Sequence, residues 1–301
     1  MSGVRETAAT ARAGSHKAPF FQNKLKFSRD WITRPLFGVL LAAIAIAATW
    51  YGGPWFVAFL VVGCGAAARE WHRMFARREF WLPAVITIAA IAASLITCLF
   101  WNQNANQLLR LAPYLVLWSG AIAQLPVAAL RGESALAHAG GVLYVGIPAL
   151  AFLLLRLSAP HAITVVLMLL LAIWATDTGA LVTGTLIGGP KLAPSWSPNK
   201  TWAGFVGGLC IAGAVTAGVA LTLRSQVLVG LAFGLAISVA AQAGDLFESV
   251  VKRRSGRKNS GGLIPGHGGV LDRIDSSLFA APLAAILILG FGFDPLPGVT
   301  G

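Results

Sequence analysis

Residues 245–275 read DLFESVVKRRSGRKNSGGLIPGHGGVLDRID. This stretch holds four of the chain's eleven carboxylates and six of its twenty-three Lys and Arg, and it sets His267 among glycines at 261, 262, 266, 268 and 269. Carboxylates hold hard cations, Lys and Arg take phosphate oxygens, and glycines let backbone N–H groups approach an anion. On a helix, Asp245, Ser249 and Lys252 share a face, with Glu248 and Arg253 flanking it. Asp272 and Asp275 are three apart and share a face at a helix start, with Arg273 between them. A metal–phosphate site and plain surface salt bridging both use these residue types.

Two further segments add candidates. Asp177 lies deep in the apolar run LLLAIWATDTGALVTG, where a carboxylate needs a cation, a metal or a wet cavity. The following GGPKLAPSWSPNKTWAG (188–204) offers Lys191 and Lys200 to phosphate and the hydroxyls of Ser197 and Thr201, with Pro198 expected to fix a turn.

The elements that must position these groups are membrane helices. The chain has 301 residues, 56% hydrophobic and 11% charged, against about 25% charged in soluble domains. Apolar runs near the length of a bilayer core recur throughout, so the expected fold is all-α and polytopic, with about nine transmembrane helices. The expected spans are 36–51, 55–68, 82–101, 108–130, 136–157, 163–187, 203–223, 227–244 and 276–293. The first two are short and joined by YGGP, which also suits a re-entrant hairpin. Twenty of the twenty-three Lys and Arg fall in segments 1–35, 69–81, 131–135, 188–202 and 245–275, all on one side of this topology. The positive-inside rule makes that side, and the N-terminus with it, cytoplasmic. The expected organisation is a basic tail (1–35), N-terminal membrane helices (36–160) and C-terminal membrane helices bearing the polar motifs (161–301).

The net charge of +12 is explained by basic loops against anionic lipid, and no basic-aromatic module points to nucleic acid. Cys64, Cys98 and Cys210 lie far apart in apolar runs and have no metal spacing. The first apolar run starts only after Pro35, so no cleavable signal peptide is expected. REWHRMFARREF (69–80) reads as an interfacial helix.

Taken together, SVVKRRSGRKNSGGLIPGHGGVLDRID (249–275), ATDTGALVTG (175–184) and KLAPSWSPNKTWAG (191–204) resemble the CDP-diacylglycerol synthase, or phosphatidate cytidylyltransferase, family. The likeness spans residues 170–280. The family signature has a serine, a Lys-Arg pair, a Lys-Asp pair, an HGG turn and a D-R-x-D end. This chain departs from it at Lys258-Asn259, where Asn replaces the acid, and at Leu181, where an aromatic is common. The resemblance implies nucleotidyl transfer from CTP to phosphatidic acid, giving CDP-diacylglycerol and pyrophosphate. It implies Asp245, Asp272 and Asp275 as metal ligands, and Lys191, Lys200, Lys252, Arg253, Lys258 and Arg273 as phosphate contacts. Ser197, Thr201 and Ser249 would orient phosphate or nucleotide, Asp177 would line the cavity, and His267, Gly268 and Gly269 would form the anion-binding turn. It further implies Mg²⁺, with K⁺ as an optional companion, membrane lipids as partners, a homodimer, and a bacterial inner membrane with the site facing the cytoplasm. A CTP-dependent polyprenol kinase and a membrane transporter are the competing readings.

Overall fold

A backbone in lipid must satisfy its own hydrogen bonds, and an α-helix does so within a single segment. The structure, a computed structural model, describes residues 38–77, 79–101, 107–257, 259–263 and 268–299. The tail 1–35, Lys258 and His267 lie outside the described residues. In chain order the elements are α1 (Gly38–Tyr51), α2 (Gly53–Phe75), α3 (Trp81–Trp101), a single turn α4 (Gln107–Arg110), α5 (Ala112–Arg131), α6 (Ala135–Ser158) and α7 (Ala162–Leu186). A hairpin of β1 (Lys191–Ala193) and β2 (Ser197–Thr201) follows, then α8 (Trp202–Thr222), α9 (Val227–Arg254) and α10 (Leu271–Ala285), the last continuing as a π-helical turn, Ile286–Gly290. Ala42–Gly301 forms one unit; Met1–Leu41 forms another, of which only the start of α1 is described.

Among the described residues, seven helices are long and apolar enough to cross a bilayer: α3, α5, α6, α7, α8, α9 and the stretch Leu271–Gly290. The two remaining expected spans are α1 and α2. At 1.5 Å per residue, α1 reaches only about 21 Å, short of a hydrocarbon core of about 30 Å. α2 is continuous through Phe75, so the first half of the expected interfacial helix is simply its last turns. Gly52 and Gly53, both with positive φ, make the sharp turn between α1 and α2. Arg156 caps the end of α1 there: its Nε donates to the Thr49 carbonyl at 2.7 Å and its guanidinium also reaches the Trp50 carbonyl. One of the three cations outside the basic loops is thus a helix cap.

Helix boundaries differ from the expected ones around the polar segment. α9 runs ten residues past Gly244, and α10 starts at Leu271, five residues before the expected 276. The island is therefore two helix ends joined by a loop. The 188–202 segment is also more ordered than expected. Its turn is at Pro194–Trp196, and Pro198 lies within β2 rather than in the turn. A two-stranded ribbon is all edge, so a residue without an N–H is tolerated there.

Small residues bring the C-terminal helices close. A Cβ on Gly204 of α8 would stand 2.8 Å from the Ala180 carbonyl oxygen of α7, and one on Gly244 of α9 would stand 2.5 Å from the Asp275 carbonyl oxygen of α10. Small residues at such interfaces let helix backbones approach in lipid. The Gly244 contact sets Asp245 beside Asp275. Phe56, Ile91, Leu95, Leu117, Leu153 and Phe233 fill the interior, while Val62, Phe100, Trp118 and Leu228 face outward, as they can where the solvent is lipid.

The N-terminal helices carry a buried polar chain at their ends. Gln124 Nε2 donates to Thr87 Oγ1 at 3.0 Å, Thr87 Oγ1 lies 2.7 Å from His72 Nε2, and His72 Nδ1 lies 2.7 Å from His138 Nδ1. His138 Nε2 is 3.1 Å from Glu133 Oε2. One assignment suits the run: Thr87 donates to His72 and His72 to His138, both imidazoles being neutral, which leaves the His138 Nε2–H near the Glu133 carboxylate. These contacts lock the ends of α2, α3, α5 and α6 together. Trp71 extends the lock, donating to the Ala137 carbonyl at 2.8 Å and packing with a tilted ring on Tyr144, which touches Phe247 of α9 and Phe279 of α10.

Candidate active site

The polar residues of α9 meet those of α10, α7 and the β-hairpin at one end of the bundle. Asp245, the first residue beyond the apolar part of α9, pairs with Lys200 of β2 at 2.7 Å. Two helical turns further, Lys252 Nζ lies between two acids, 2.8 Å from Glu248 Oε2 and 2.9 Å from Asp272 Oδ1. Glu248 is fully buried, so this triad crosses from α9 to α10 in an environment of low dielectric. Arg253 Nε donates to the Trp196 carbonyl at 3.3 Å and ties the hairpin turn to α9.

Asp272 organises the loop before α10. Its Oδ1 also accepts from the Ser260 amide at 3.3 Å, and its Oδ2 from the Gly269 amide at 2.9 Å. Gly268, with φ of 84°, takes a left-handed conformation open to glycine. Asp275 is buried, and its Oδ1 accepts from the Ser276 amide at 2.7 Å. The Ser276 hydroxyl donates to Asp177 Oδ1 at 3.1 Å. Asp177, Asp245 and Glu248 all act electrostatically on Asp275. Four carboxylates thus converge, with Lys200 and Lys252 as their paired cations.

The structure brings together Asp177, Lys200, Asp245, Lys252, Asp272 and Asp275, with Arg253 at the hairpin edge. Arg273 acts on Asp177. Thr201 is buried as the N-cap of α8, its hydroxyl accepting from the Gly204 amide at 3.1 Å. Lys191 is exposed where β1 begins, opposite Thr201, and Ser197 starts β2 opposite Ala193. Ser249 is half-buried on α9; the face that engages α10 is that of Glu248 and Lys252. Asn259 is exposed, next in the chain to Ser260, whose amide binds Asp272. Between hairpin, α8 and α9 lies a cavity of about 430 Å³, lined mainly by apolar groups such as Leu192, Trp196, Phe205, Val239 and Leu246.

Three participants carried no clear signal in the sequence. Glu248 read as a flanking residue and is the buried partner of Lys252. Ser276 joins α10 to α7. Glu70 of α2, buried in the structure, binds the loop 190 residues away through Ser260 and α10 through the Leu271 amide. Its only trace in the sequence is an acid amid REWHRM, where the arginines offered simpler partners.

Among the described residues no three His, Cys, Asp or Glu side chains converge tightly enough to form a metal shell. The donor chemistry nevertheless fits a hard cation. All the donors are carboxylate oxygens, and Glu248 Oε1 is buried with no hydrogen-bond partner among the described residues. Asp272 Oδ2 accepts one hydrogen bond and retains a lone pair.

The model of the cytidylyltransferase family matches residues 32–291 of this chain. The phosphatidate cytidylyltransferases of Brucella melitensis biotype 1 and Brucella suis biovar 1 are each 37% identical over 256 residues, covering 83% of this chain and 90% of theirs. That of Staphylococcus aureus strain COL is 43% identical over 152 residues, covering 49% of this chain and 56% of its own. With a family match across most of its length, and a carboxylate–lysine site at the ends of its membrane helices, this chain belongs to the cytidylyltransferase family.

Proposed function

We propose that this membrane enzyme transfers the cytidylyl group of CTP to phosphatidic acid, forming CDP-diacylglycerol and pyrophosphate. The observation that carries this reading is the mixed cluster of Asp177, Asp245, Glu248, Asp272 and Asp275 with Lys200 and Lys252, set at the ends of membrane helices. An oxygen of the lipid phosphate attacks the α-phosphorus of CTP. The bond from that phosphorus to the β-phosphate oxygen breaks, and pyrophosphate leaves with the electron pair. The nucleophile is already an anion, so no covalent enzyme intermediate is required. The obstacle is electrostatic, because two polyanions must meet and charge accumulates on the leaving group.

Asp245, Asp272 and Asp275 are the residues proposed to hold Mg²⁺, with Asp177 and Glu248 at hand and K⁺ as an optional companion. Bound there, the metal would polarise phosphoryl oxygens and offset their charge. Lys200 is placed to take a phosphate oxygen while still facing Asp245. Lys252 fixes the distance between α9 and α10 and keeps Asp272 ionised beside the reacting groups. Arg253, Arg273 and Lys191 are proposed as outer phosphate contacts. The apolar cavity under the hairpin has a lining suited to the uncharged part of a substrate.

A cytoplasmic orientation of the site, in a bacterial inner membrane, is supported by the basic loops: the hairpin, the loop before α10 and the end of α2 meet at one end of the bundle. A homodimer follows from the family resemblance. The test supplies labelled CTP and phosphatidate to purified protein, with Mg²⁺ and then with chelator. CDP-lipid and pyrophosphate that disappear on chelation are expected. In a parallel reaction with a polyprenol in place of phosphatidate, CDP with a phosphorylated polyprenol would establish the kinase reading, and no CDP-lipid from phosphatidate under any metal condition would overturn the proposal.

A further inference from the structure

Glu70 belongs to the N-terminal half of the chain, far in sequence from every motif of the site. It is 1% exposed. Its Oε2 accepts from the backbone amide of Leu271, the first residue of α10, at 2.9 Å and from the Ser260 hydroxyl at 3.3 Å. Ser260 in turn gives its amide to Asp272. Two carboxylates therefore clamp the two ends of the loop, Glu70 from α2 and Asp272 from within α10. Ser260 at the entry touches both, while Gly269 and Leu271 at the exit take one each.

The glycines fit this arrangement. A Cβ on Gly261 would run into the Glu70 carboxyl and its Cγ, and one on Gly269 would meet Ser260 Oγ and Glu70 Oε2. The close approach that glycine permits at these two positions is made by Glu70. A negative charge at the first amides of α10 is also where the helix dipole favours one. Displacing Glu70 would free the first turn of α10, which carries Asp272 and, one turn on, Asp275.

We infer that Glu70 is a positioning residue of the active site: from α2 it fixes the glycine loop and the N-terminus of α10, and so sets the register of Asp272 and Asp275 against Lys252 and Asp245. The inference rests on the cytidylyl-transfer reading for its kinetic consequence but not for its structural one.

The experiment is a double-mutant cycle on the full-length protein in detergent, with Glu70→Ala, Gly261→Ala and their combination, and with Glu70→Gln as the conservative variant. CDP-lipid formation gives kcat and KM, and amide hydrogen exchange is followed over residues 260–275. Glu70→Ala should lower kcat tenfold or more, about 1.4 kcal/mol of barrier, with KM for CTP changed much less. Glu70→Gln, which keeps an acceptor for the Leu271 amide, should recover most of the rate. Gly261→Ala should be damaging alone and add little on Glu70→Ala, because the atoms it strikes are gone. Exchange at the start of α10 should rise in Glu70→Ala even if the protein makes no CDP-lipid, which separates this inference from the functional reading. Should Glu70→Ala fail to accumulate, Glu70→Gln with Gly261→Ala supplies the same comparisons, the Gln variant protecting the Leu271 amide and Gly261→Ala exposing it. Unchanged exchange together with wild-type kcat in the Glu70 variants, or strictly additive losses in the cycle, would overturn the inference.

Discussion

Replacing Lys252 with Met removes the cation that, among the described residues, lies between Glu248 and Asp272. The methionine keeps most of the aliphatic stem, so the change is chiefly of charge. Lys252 Nζ stands 2.8 Å from Glu248 Oε2 and 2.9 Å from Asp272 Oδ1, and its side chain is only 15% exposed. Glu248 is fully buried and has the acid Asp275 as its other neighbour, so the substitution removes its only charge partner among the described residues of this cluster and leaves two buried acids side by side. Breaking a buried pair from one side costs about 3–5 kcal/mol. Partial exposure of Asp272 argues for the lower end, about 3 kcal/mol. A second change, Glu248→Gln, removes the stranded charge and should return more than half of that loss. The assay pairs thermal unfolding in detergent, read by loss of the monodisperse peak, with CDP-lipid formation by the same samples. Lys252→Met should unfold several degrees lower than wild type, and the double variant should recover. Activity then separates two roles. A lysine that only holds α9 to α10 would have its activity restored in the double variant, whereas a lysine that also contacts phosphate would not. A Lys252→Met protein as stable as wild type, or a double variant less stable than the single one, would refute the reasoning.

Asp272→Ala should lower turnover by about a hundredfold or more, an electrostatic loss of roughly 2.7 kcal/mol, while the protein still elutes as a folded species; steady-state rates with labelled CTP check this. Asn259→Asp should change the rate by less than about threefold, since Asn259 is exposed and surface changes rarely exceed about 0.5 kcal/mol. A large gain would place that position at the metal. Thr201→Ala should cost about 1 kcal/mol of stability through the lost N-cap of α8, measured by thermal unfolding, and should leave kcat near wild type; loss of kcat without loss of stability would give the hydroxyl to the substrate.

Much of this molecule was legible in the chain itself. The seven long spans could be read because lipid demands uninterrupted apolar length, and that demand is local to each segment. The spacing of Asp245, Glu248 and Lys252 along a helix, and of Asp272 and Asp275, could be read because helical periodicity is also local. Helix ends were less legible. α9 continues ten residues beyond its apolar part because Lys252 pairs with Glu248 one turn back and with Asp272 on α10, which keeps a charged stretch helical. The hairpin at 191–201 was missed because a ribbon of two short strands carries little periodic signal, and Pro198 argued for a turn where a strand runs. Thr201 was expected to orient phosphate or nucleotide; the structure adds that its hydroxyl accepts from the Gly204 amide as the N-cap of α8, a role its sequence neighbours did not announce.

The sequence by itself determined that the chain is a helical membrane protein, that its chemistry lies in a few charged segments, and which residue types those segments hold. Composition and spacing encode these properties directly. Only the tertiary structure decided which charges face one another. Lys200 meets Asp245 across 45 positions, Asp177 meets Ser276 across 99, and Glu70 meets the Leu271 amide across 201. The pairing of a buried acid is set by whichever helix packs against it, and close helix packing depends on glycines such as Gly204 and Gly244, whose partners lie on other helices. That is why Glu70, unremarked in its own segment, became the residue that joins the N-terminal helices to the site.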